Sequence, residues 1–218
     1  MHTYTLFCVD FDGTIMDSMP AFLHSVRGAA RRLGRTPPPE AHISKAMGMG
    51  SLTKCFTFIF PDLPEEQTGP WVTAYRDIYR EEGAALARPY PGVVETLDAL
   101  LAAGKRLAVT SNKGEPLLRS GLEDHNLLQY FELVIGEVPG EPKKPDPETW
   151  RRRVAPHFPE LDVQDVLVVG DGEPDMAFAK ALGAAACLAT YGYGPMERLK
   201  GYNPAFQIDT FSDIANWL

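Results

Sequence analysis

The sequence predicts an α/β protein with a doubly wound parallel sheet, into which a small helical domain is inserted. Two observations predict this fold class. From residue 89 onward, apolar strand-like runs alternate with helix-like stretches, whereas residues 16–88 show helical spacing and no convincing strand. We therefore expect a core domain made of residues 1–15 and 89–218, and a helical domain made of residues 16–88.

Five apolar runs are the predicted strands of the core sheet. The first, residues 4–9, is rich in aromatic and β-branched side chains, as is typical of a strand buried on both faces inside a parallel sheet. The other four runs are residues 106–110, 133–135, 166–169 and 185–188.

Helix-like stretches separate these strands, with apolar residues at helical spacing in residues 94–101, 117–122 and 176–182. Gly104 and Gly183 follow the first and third stretches, where glycine commonly ends a helix. The alternation predicts helices on both faces of the sheet.

The inserted domain has three helical patterns. The first begins near Ser18 and Pro20 and ends at Gly34, and the others cover residues 52–59 and 72–79. Prolines break the chain between them, at residues 37–39 and at residue 61. Three phenylalanines in and just after the second pattern are expected in the core of this domain; they are Phe56, Phe58 and Phe60.

The charge balance limits the partners. The chain of 218 residues has 21 basic and 29 acidic side chains, a net charge of −8, which argues against nucleic acid or an anionic membrane. We expect a cytoplasmic protein, because no apolar run approaches the roughly 20 residues of a membrane span and two acids interrupt the N-terminal apolar run. The three cysteines have apolar neighbours and are expected to be reduced, buried thiols.

Polar side chains follow three of the predicted strands. The first strand ends in Asp10-Phe11-Asp12, the second in Ser111-Asn112-Lys113, and the fourth in a stretch from Gly170 to Asp175. The carboxyl ends of parallel strands meet at one edge of a sheet, where ligands bind in open α/β folds. Two carboxylates so close together repel one another, so a cation or a proton must compensate them.

Each of these features also has a purely structural interpretation. Asp12-Gly13 is a common hairpin turn, Ser111 or Asp175 can cap a helix, and Gly170–Gly172 can be a simple loop. Lys143 and Lys144 before Pro145 can be solvated charges. Their arrangement at one sheet edge favours a single site over these separate interpretations.

The sequence resembles the haloacid dehalogenase superfamily, and within it the phosphoglycolate-phosphatase-like branch, which has a helical cap inserted after the first strand. Four motifs carry the resemblance: D-x-D-x-T at residues 10–14, a serine after a strand at Ser111, K-P-x-P at residues 144–147, and G-D-x-x-x-D at residues 170–175. Asp12 is absent from the namesake dehalogenases, and its presence here indicates phosphate chemistry. Gly172 departs mildly from the branch, which more often has Ser or Thr there.

The resemblance implies a role for each carboxylate in a Mg²⁺-dependent phosphatase. Asp10 is the expected nucleophile, forming an aspartyl-phosphate, and Asp12 the expected general acid and base. The metal residues are expected to be Asp10, Asp12 through its backbone carbonyl, Asp171 and Asp175, the last through a metal-bound water.

Phosphate oxygens need hydrogen-bond donors, and the resemblance nominates Ser111, Asn112 and Lys144. Lys143 is the alternative to Lys144, which is preferred because it directly precedes the proline of the motif.

The helical domain is expected to act as a cap that selects the substrate, a small phosphorylated metabolite such as phosphoglycolate. Gly50 in the Gly48–Gly50 loop and the nearby Lys54 are the candidate cap residues; an ordinary turn and a solvated lysine are the alternatives, and Lys45 is the other basic residue there. Two other functions stay open: a phosphosugar mutase of the β-phosphoglucomutase type, and a non-catalytic phosphate-binding module. The sequence leaves the oligomeric state, monomer or dimer, open.

Overall fold

The computed structural model describes residues 4–217, and the chain divides into two compact units. One unit comprises Met1–Met16 and Pro89–Leu218, and the other comprises Asp17–Arg88. Two very short strands, β2 (Met16–Asp17) and β3 (Arg88–Pro89), pair with each other. The remaining strands all belong to the first unit, which we call the core unit.

The core unit is built on a six-stranded sheet, in which every neighbouring pair of strands is parallel. Its strands, in spatial order, are β5 (Leu133–Glu137), β4 (Arg106–Gly114), β1 (Leu6–Val9), β6 (Val166–Gly170), β7 (Ala185–Ala189) and β8 (Phe206–Ile208). All four residues of β1 are buried, because β1 lies between β4 and β6 in the middle of the sheet. The predicted α/β fold class with a parallel sheet is confirmed.

Helices cover this sheet. They are α5 (Val93–Ala102), α6 (Glu115–Asp124), α7 (Glu173–Leu182) and α8 (Met196–Lys200). Gly104 and Gly183 follow α5 and α7 in the left-handed conformation, with φ of +73° each, as the helix ends predicted. Phe178 of α7 packs into one buried cluster with alternate β1 residues, Leu6 and Cys8.

A segment without a predicted helix completes this cluster. Residues Trp150–Val154 form a π-helical turn and Ala155–His157 a 3₁₀ turn, and they bury Trp150 and Val154 against the sheet. Three successive arginines, at residues 151–153, separate the two buried residues in the sequence, so the apolar pattern did not predict a helix here.

The strand predictions were incomplete. The short pair β2 and β3 was not predicted, and β5 continues beyond residue 135 to Glu137. β8 was not predicted, because it has three residues, of which Gln207 is exposed. β4 continues past Thr110 through polar residues to Gly114, which pairs with Glu137 of β5 after a register shift.

The Asp12-Gly13 turn does not make a hairpin of the main sheet, because both neighbours of β1 are parallel to it. Gly13 has a φ of +82°, and the chain turns there to form an isolated bridge between Asp12 and Met16.

The second unit, which we call the helical unit, contains α1 (Met19–Arg32), α2 (Glu40–Ser44), α3 (Leu52–Ile59) and α4 (Gly69–Ile78). A π-helical turn, Tyr79–Gly83, and a 3₁₀ turn, Ala84–Leu86, continue α4. Aromatic contacts hold its centre, where Phe56 lies 5.5 Å from Trp71, measured between ring centroids. Phe60 is buried as well, but Phe58 is only half-buried and stacks on His42.

All three cysteines are buried, free thiols, as expected. Within residues 4–217, no helix has the length and apolar character needed to cross a membrane.

Gly136 in β5 is expected to tolerate no side chain. A Cβ there would overlap the backbone of Glu115, which cannot move aside cheaply, so Gly136→Ala should lower the free energy of unfolding by about 1–3 kcal/mol. Gly114→Ala is the matched control, since Gly114 has a φ of −52° and a Cβ there meets no described atom within 4 Å. Urea unfolding of both variants measures the difference, and equal stabilities would contradict the close approach of Gly136 to Glu115.

Candidate active site

The register of the sheet brings the predicted strand ends together. Val9 of β1 is paired with Val109 of β4 and with Val169 of β6, so the residues that follow these three lie at the same edge. Asp10 and Asp171 are therefore carried to this edge by β1 and β6, and Ser111 by β4.

Lys144 lies at the centre of the site with its side chain almost completely buried. Its ammonium donates hydrogen bonds to Asp10 Oδ1 at 2.8 Å, to Asp175 Oδ1 and to the backbone oxygen of Thr110. Burial by itself lowers the pKa of Lys144, but the charges of Asp10 and Asp175 outweigh burial and hold that pKa above its usual value. Lys144 is thus a permanent cation between two carboxylates.

Three buried carboxylates converge around this lysine. One oxygen from each of Asp10, Asp171 and Asp175 lies within 4.8 Å of the others. Burial raises the pKa of Asp10 from 3.8 to about 7, against the opposing charge of Lys144 and with the help of the nearby Asp175. Burial and the charges of Asp10 and Asp175 also raise the pKa of Asp171 well above its usual value. The site therefore holds more negative charge than Lys144 alone compensates.

Backbone groups orient the two carboxylates that follow β6. Asp171 Oδ2 accepts a hydrogen bond from the Tyr193 amide at 2.6 Å, and Asp175 Oδ2 accepts one from the Gly172 amide at 3.0 Å. Asp175 is the third residue of α7, and the N-cap of that helix is Gly172. Asp175 is therefore not the N-cap; it lies in the first turn and accepts a hydrogen bond from the N-cap amide.

Two glycines leave room for Asp171. A Cβ on Gly13 or on Gly192 would overlap the Asp171 side chain, and the φ of +82° at Gly13 also favours glycine. The backbone of both loops thus approaches the carboxylate more closely than any other residue type allows.

Asp12 lies apart from the three converging carboxylates. Its side chain contributes no oxygen to their group, and both of its oxygens are within hydrogen-bond distance of Lys113 Nζ, at 3.1 and 3.3 Å. The structure thus gives the two acids of the Asp10-Phe11-Asp12 stretch different neighbours: Lys144 for Asp10 and Lys113 for Asp12.

Ser111 and Asn112 lie inside β4 and do not begin a helix. Ser111 is buried, and its Oγ accepts a hydrogen bond from the Lys113 amide at 3.3 Å, whereas the N-cap of α6 is Gly114. Asn112 donates from Nδ2 to the backbone oxygen of Lys144 at 2.9 Å, and its buried Oδ1 has no hydrogen-bond partner within the described chain.

Known proteins resemble this chain over nearly its full length. The family of haloacid dehalogenase-like hydrolases matches residues 7–189. The chain belongs to this family.

Two sequence relatives in this hydrolase family are phosphoglycolate phosphatases. The enzyme of Vibrio parahaemolyticus is 31% identical over 96% of this chain and 93% of its own length, and that of Aquifex aeolicus is 30% identical over 94% and 92%. A solved structure of a predicted phosphoglycolate phosphatase from Haemophilus somnus superimposes with a TM-score of 0.86 at 27% identity, covering 98% of this chain and 97% of its own. The predicted family and the prediction of a phosphoric monoester hydrolase within it are confirmed.

The structure separates the two candidate lysines of this hydrolase. Lys143 forms an ion pair with Glu137, outside the carboxylate group, whereas Lys144 contacts Asp10 and Asp175. Lys144 is therefore the lysine that contacts the carboxylate group.

Sequence reasoning missed the residues that orient the site. Lys113 directly follows Ser111-Asn112 at the end of a strand, and this position was the available signal for it. The backbone contact of Tyr193 with Asp171 depends on a long-range approach of chain segments that local patterns do not encode.

The two candidate cap residues lie in the helical unit. Gly50 has a φ of +83° and precedes Ser51, which caps α3 by accepting a hydrogen bond from the Lys54 amide at 3.3 Å. The Lys54 side chain is exposed. Their role in substrate binding stays a prediction.

The raised pKa of Asp10 makes the metal-free protein sensitive to pH. Because the folded state holds this proton more tightly than the unfolded state, the stabilising contribution of Asp10 is complete below pH 3.8 and is lost as the pH rises to about 7. Asp10→Asn removes this titration. At about 1.4 kcal/mol per pKa unit, the stability of the variant relative to wild type should increase by a few kcal/mol over this range.

Urea unfolding in chelator at pH 4, 5, 6 and 7 measures this difference. Carboxylates whose pKa is lowered, such as Asp62 and Asp213, titrate in both proteins. Their contributions to the free energy of unfolding therefore cancel when the variant is compared with wild type. A relative stability that stays constant or decreases as the pH rises would contradict the assigned direction.

Proposed function

We propose that this hydrolase is a Mg²⁺-dependent phosphatase of a small phosphorylated metabolite, and that phosphoglycolate is its substrate. The observation that carries the proposal is the buried group of Asp10, Asp171 and Asp175 around Lys144, at the edge of the sheet where α/β proteins bind ligands. The relatives named phosphoglycolate phosphatase over nearly the whole chain support the substrate.

Asp10 is the proposed nucleophile. It follows the central strand β1, and its Oδ1 is fixed by Lys144, so its other carboxylate oxygen is available to a substrate phosphorus. Attack by this carboxylate divides hydrolysis into two displacements through an aspartyl-phosphate. Water then attacks that phosphorus, and the carboxylate of Asp10 is regenerated as inorganic phosphate leaves.

The donor set fits Mg²⁺. If all three carboxylates are ionised, the one ammonium leaves two negative charges uncompensated, and oxygen ligands are those that Mg²⁺ prefers. Asp10 and Asp171 are the proposed direct ligands, with the backbone carbonyl of Asp12, and Asp175 is proposed to orient a water of the metal. When bound, Mg²⁺ neutralises charge that develops on the transferring phosphoryl group.

The phosphate oxygens are proposed to bind Ser111, Asn112 and Lys144. The Ser111 hydroxyl lies at the same sheet edge as Asp10, and Asn112 is tied through Nδ2 to the backbone of Lys144. Such fixed donors stabilise an anionic transition state without having to reorganise.

Asp12 is the proposed general acid and base. It lies two residues after the nucleophile, and its side chain is kept away from the other three carboxylates by Lys113. It would protonate the leaving alkoxide in the first displacement and accept a proton from water in the second.

A screen of phosphorylated metabolites with Mg²⁺ tests this function, with inorganic phosphate and sugar isomers measured in parallel. We expect phosphate release, fastest with phosphoglycolate, and a loss of at least tenfold in Asp10→Asn; that factor corresponds to about 1.4 kcal/mol of barrier. Asp124→Asn, an exposed aspartate of α6, is the matched control and should retain wild-type activity.

Isomerisation of a hexose phosphate without phosphate release would instead support a mutase, because a mutase returns the phosphoryl group to sugar. Absence of any turnover over the whole panel would favour the non-catalytic phosphate-binding module.

Phosphate release is expected to depend on the metal ion. It should stop in chelator, return with Mg²⁺, and be at least tenfold slower with Ca²⁺, because Ca²⁺ prefers six to eight oxygen ligands at longer distances and would misalign the Asp10 carboxylate. Steady-state rates with each ion measure this, and thermal unfolding with and without each ion checks that both bind. Equal rates with the two ions would contradict the proposed metal role.

Lys54 is proposed to bind the carboxylate of phosphoglycolate. Lys54→Ala should then cost about 1.5–3 kcal/mol in kcat/KM for phosphoglycolate, the range for a charged hydrogen bond, and little for an aryl phosphate that has no carboxylate. Lys45→Ala, the other exposed lysine near this loop, is the control. Equal losses on both substrates, or none on either, would remove Lys54 from the proposed site.

A further inference from the structure

Lys113 is an ammonium held against the second acid of the site. β4 continues beyond Thr110 to Gly114, and this extension carries Lys113 alongside the residues that follow β1. Its Nζ lies 3.1 Å from Asp12 Oδ1 and 3.3 Å from Oδ2, and 5.5 Å from the centroid of the Phe11 ring. Only 10% of the Lys113 side chain and 22% of the Asp12 side chain are exposed, so water screens this pair only weakly.

This pairing bears on the base step assigned to Asp12. A carboxylate that receives hydrogen bonds from an ammonium on both oxygens is held in one orientation. A carboxylate held in this way has a fixed position from which to accept a proton when water attacks.

We propose that Lys113 is a positioning residue, which holds the Asp12 carboxylate in place for hydrolysis of the phosphorylated enzyme; this inference rests on the proposed function. In that step the water oxygen forms a bond to phosphorus, and a water proton passes to Asp12. The bond between phosphorus and the Asp10 oxygen breaks, and its electron pair returns to Asp10. Lys113 touches neither the water nor the phosphorus, and acts through Asp12.

The substrate 4-nitrophenyl phosphate separates the two steps. Nitrophenolate leaves without a proton, so kcat/KM reports formation of the phosphorylated enzyme with little need for Asp12, whereas kcat includes its hydrolysis. Lys113→Met should lower kcat by about 10- to 100-fold. This is less than the loss expected when a general base is removed altogether, because Asp12 itself remains. It should leave kcat/KM within about threefold of wild type and produce a burst of nitrophenolate close to one equivalent of enzyme.

Three variants complete the test. Lys113→Arg can donate two hydrogen bonds to the same carboxylate and should restore most of kcat. Lys105→Met is the matched control, because the Lys105 ammonium donates to the backbone oxygen of Tyr4 at the other end of β4, and it should show wild-type kinetics. Lys113→Gln, which keeps a polar side chain, provides the same measurement if the methionine variant does not fold.

An unchanged kcat in Lys113→Met would overturn the proposal, as would equal losses of kcat and kcat/KM without a burst. Two further measurements separate this failure from other failures. If the wild-type protein releases neither nitrophenolate nor phosphate, the proposed function itself falls. If Asp12→Asn turns over like wild type, the proposed roles of Asp12 and Lys113 fall together; if it accumulates phosphorylated enzyme while Lys113→Met behaves like wild type, only the role of Lys113 falls. In the double variant, Lys113→Met should add less than about twofold to the loss caused by Asp12→Asn.

Discussion

The arrangement of the core site depends on the cost of burying three carboxylates next to one another. Asp10, Asp171 and Asp175 are all nearly inaccessible to water. The charge of Asp175 disfavours ionisation of Asp10, and the charges of Asp10 and Asp175 disfavour ionisation of Asp171. Lys144, itself buried, compensates part of this charge through direct contacts with two of them. The rest must be supplied by protons or by a divalent cation. The metal proposed for this site would reduce the same unfavourable charge.

The parallel sheet is what makes so crowded a site possible. β1 lies between β4 and β6, and the three strands are in register. Their carboxyl ends therefore lie side by side at one edge of the sheet. Backbone then does most of the positioning: amides of Tyr193 and Gly172 fix the two acids after β6, and Gly192 allows the close approach. The two aspartates of the first motif contact different lysines: Lys144 contacts Asp10, and Lys113 contacts Asp12. This division supports the different chemical duties proposed for two acids that are neighbours in sequence.

The sequence predicts the parts of this design that are encoded locally. The continuous apolar run of β1 predicts a strand buried on both faces, and the ordered polar ends predict which residues share an edge. Residues 206–208 are too short and too polar on one face to stand out as a strand, and the arginines at residues 151–153 conceal a buried segment. The Lys113–Asp12 contact depends on how far β4 extends, which is decided by pairing of Gly114 with Glu137 and not by local propensity.

The central claim is that Asp10 becomes covalently phosphorylated during turnover. The most direct measurement is an acid quench of the working enzyme in Mg²⁺ with excess substrate, followed by digestion and mass spectrometry of the peptide that contains residues 8–18. We predict a phosphoryl group on Asp10, which is absent when chelator is present and absent in Asp10→Asn. Sustained phosphate release with no phosphorylated peptide, or with the phosphoryl group on another residue, would contradict the account.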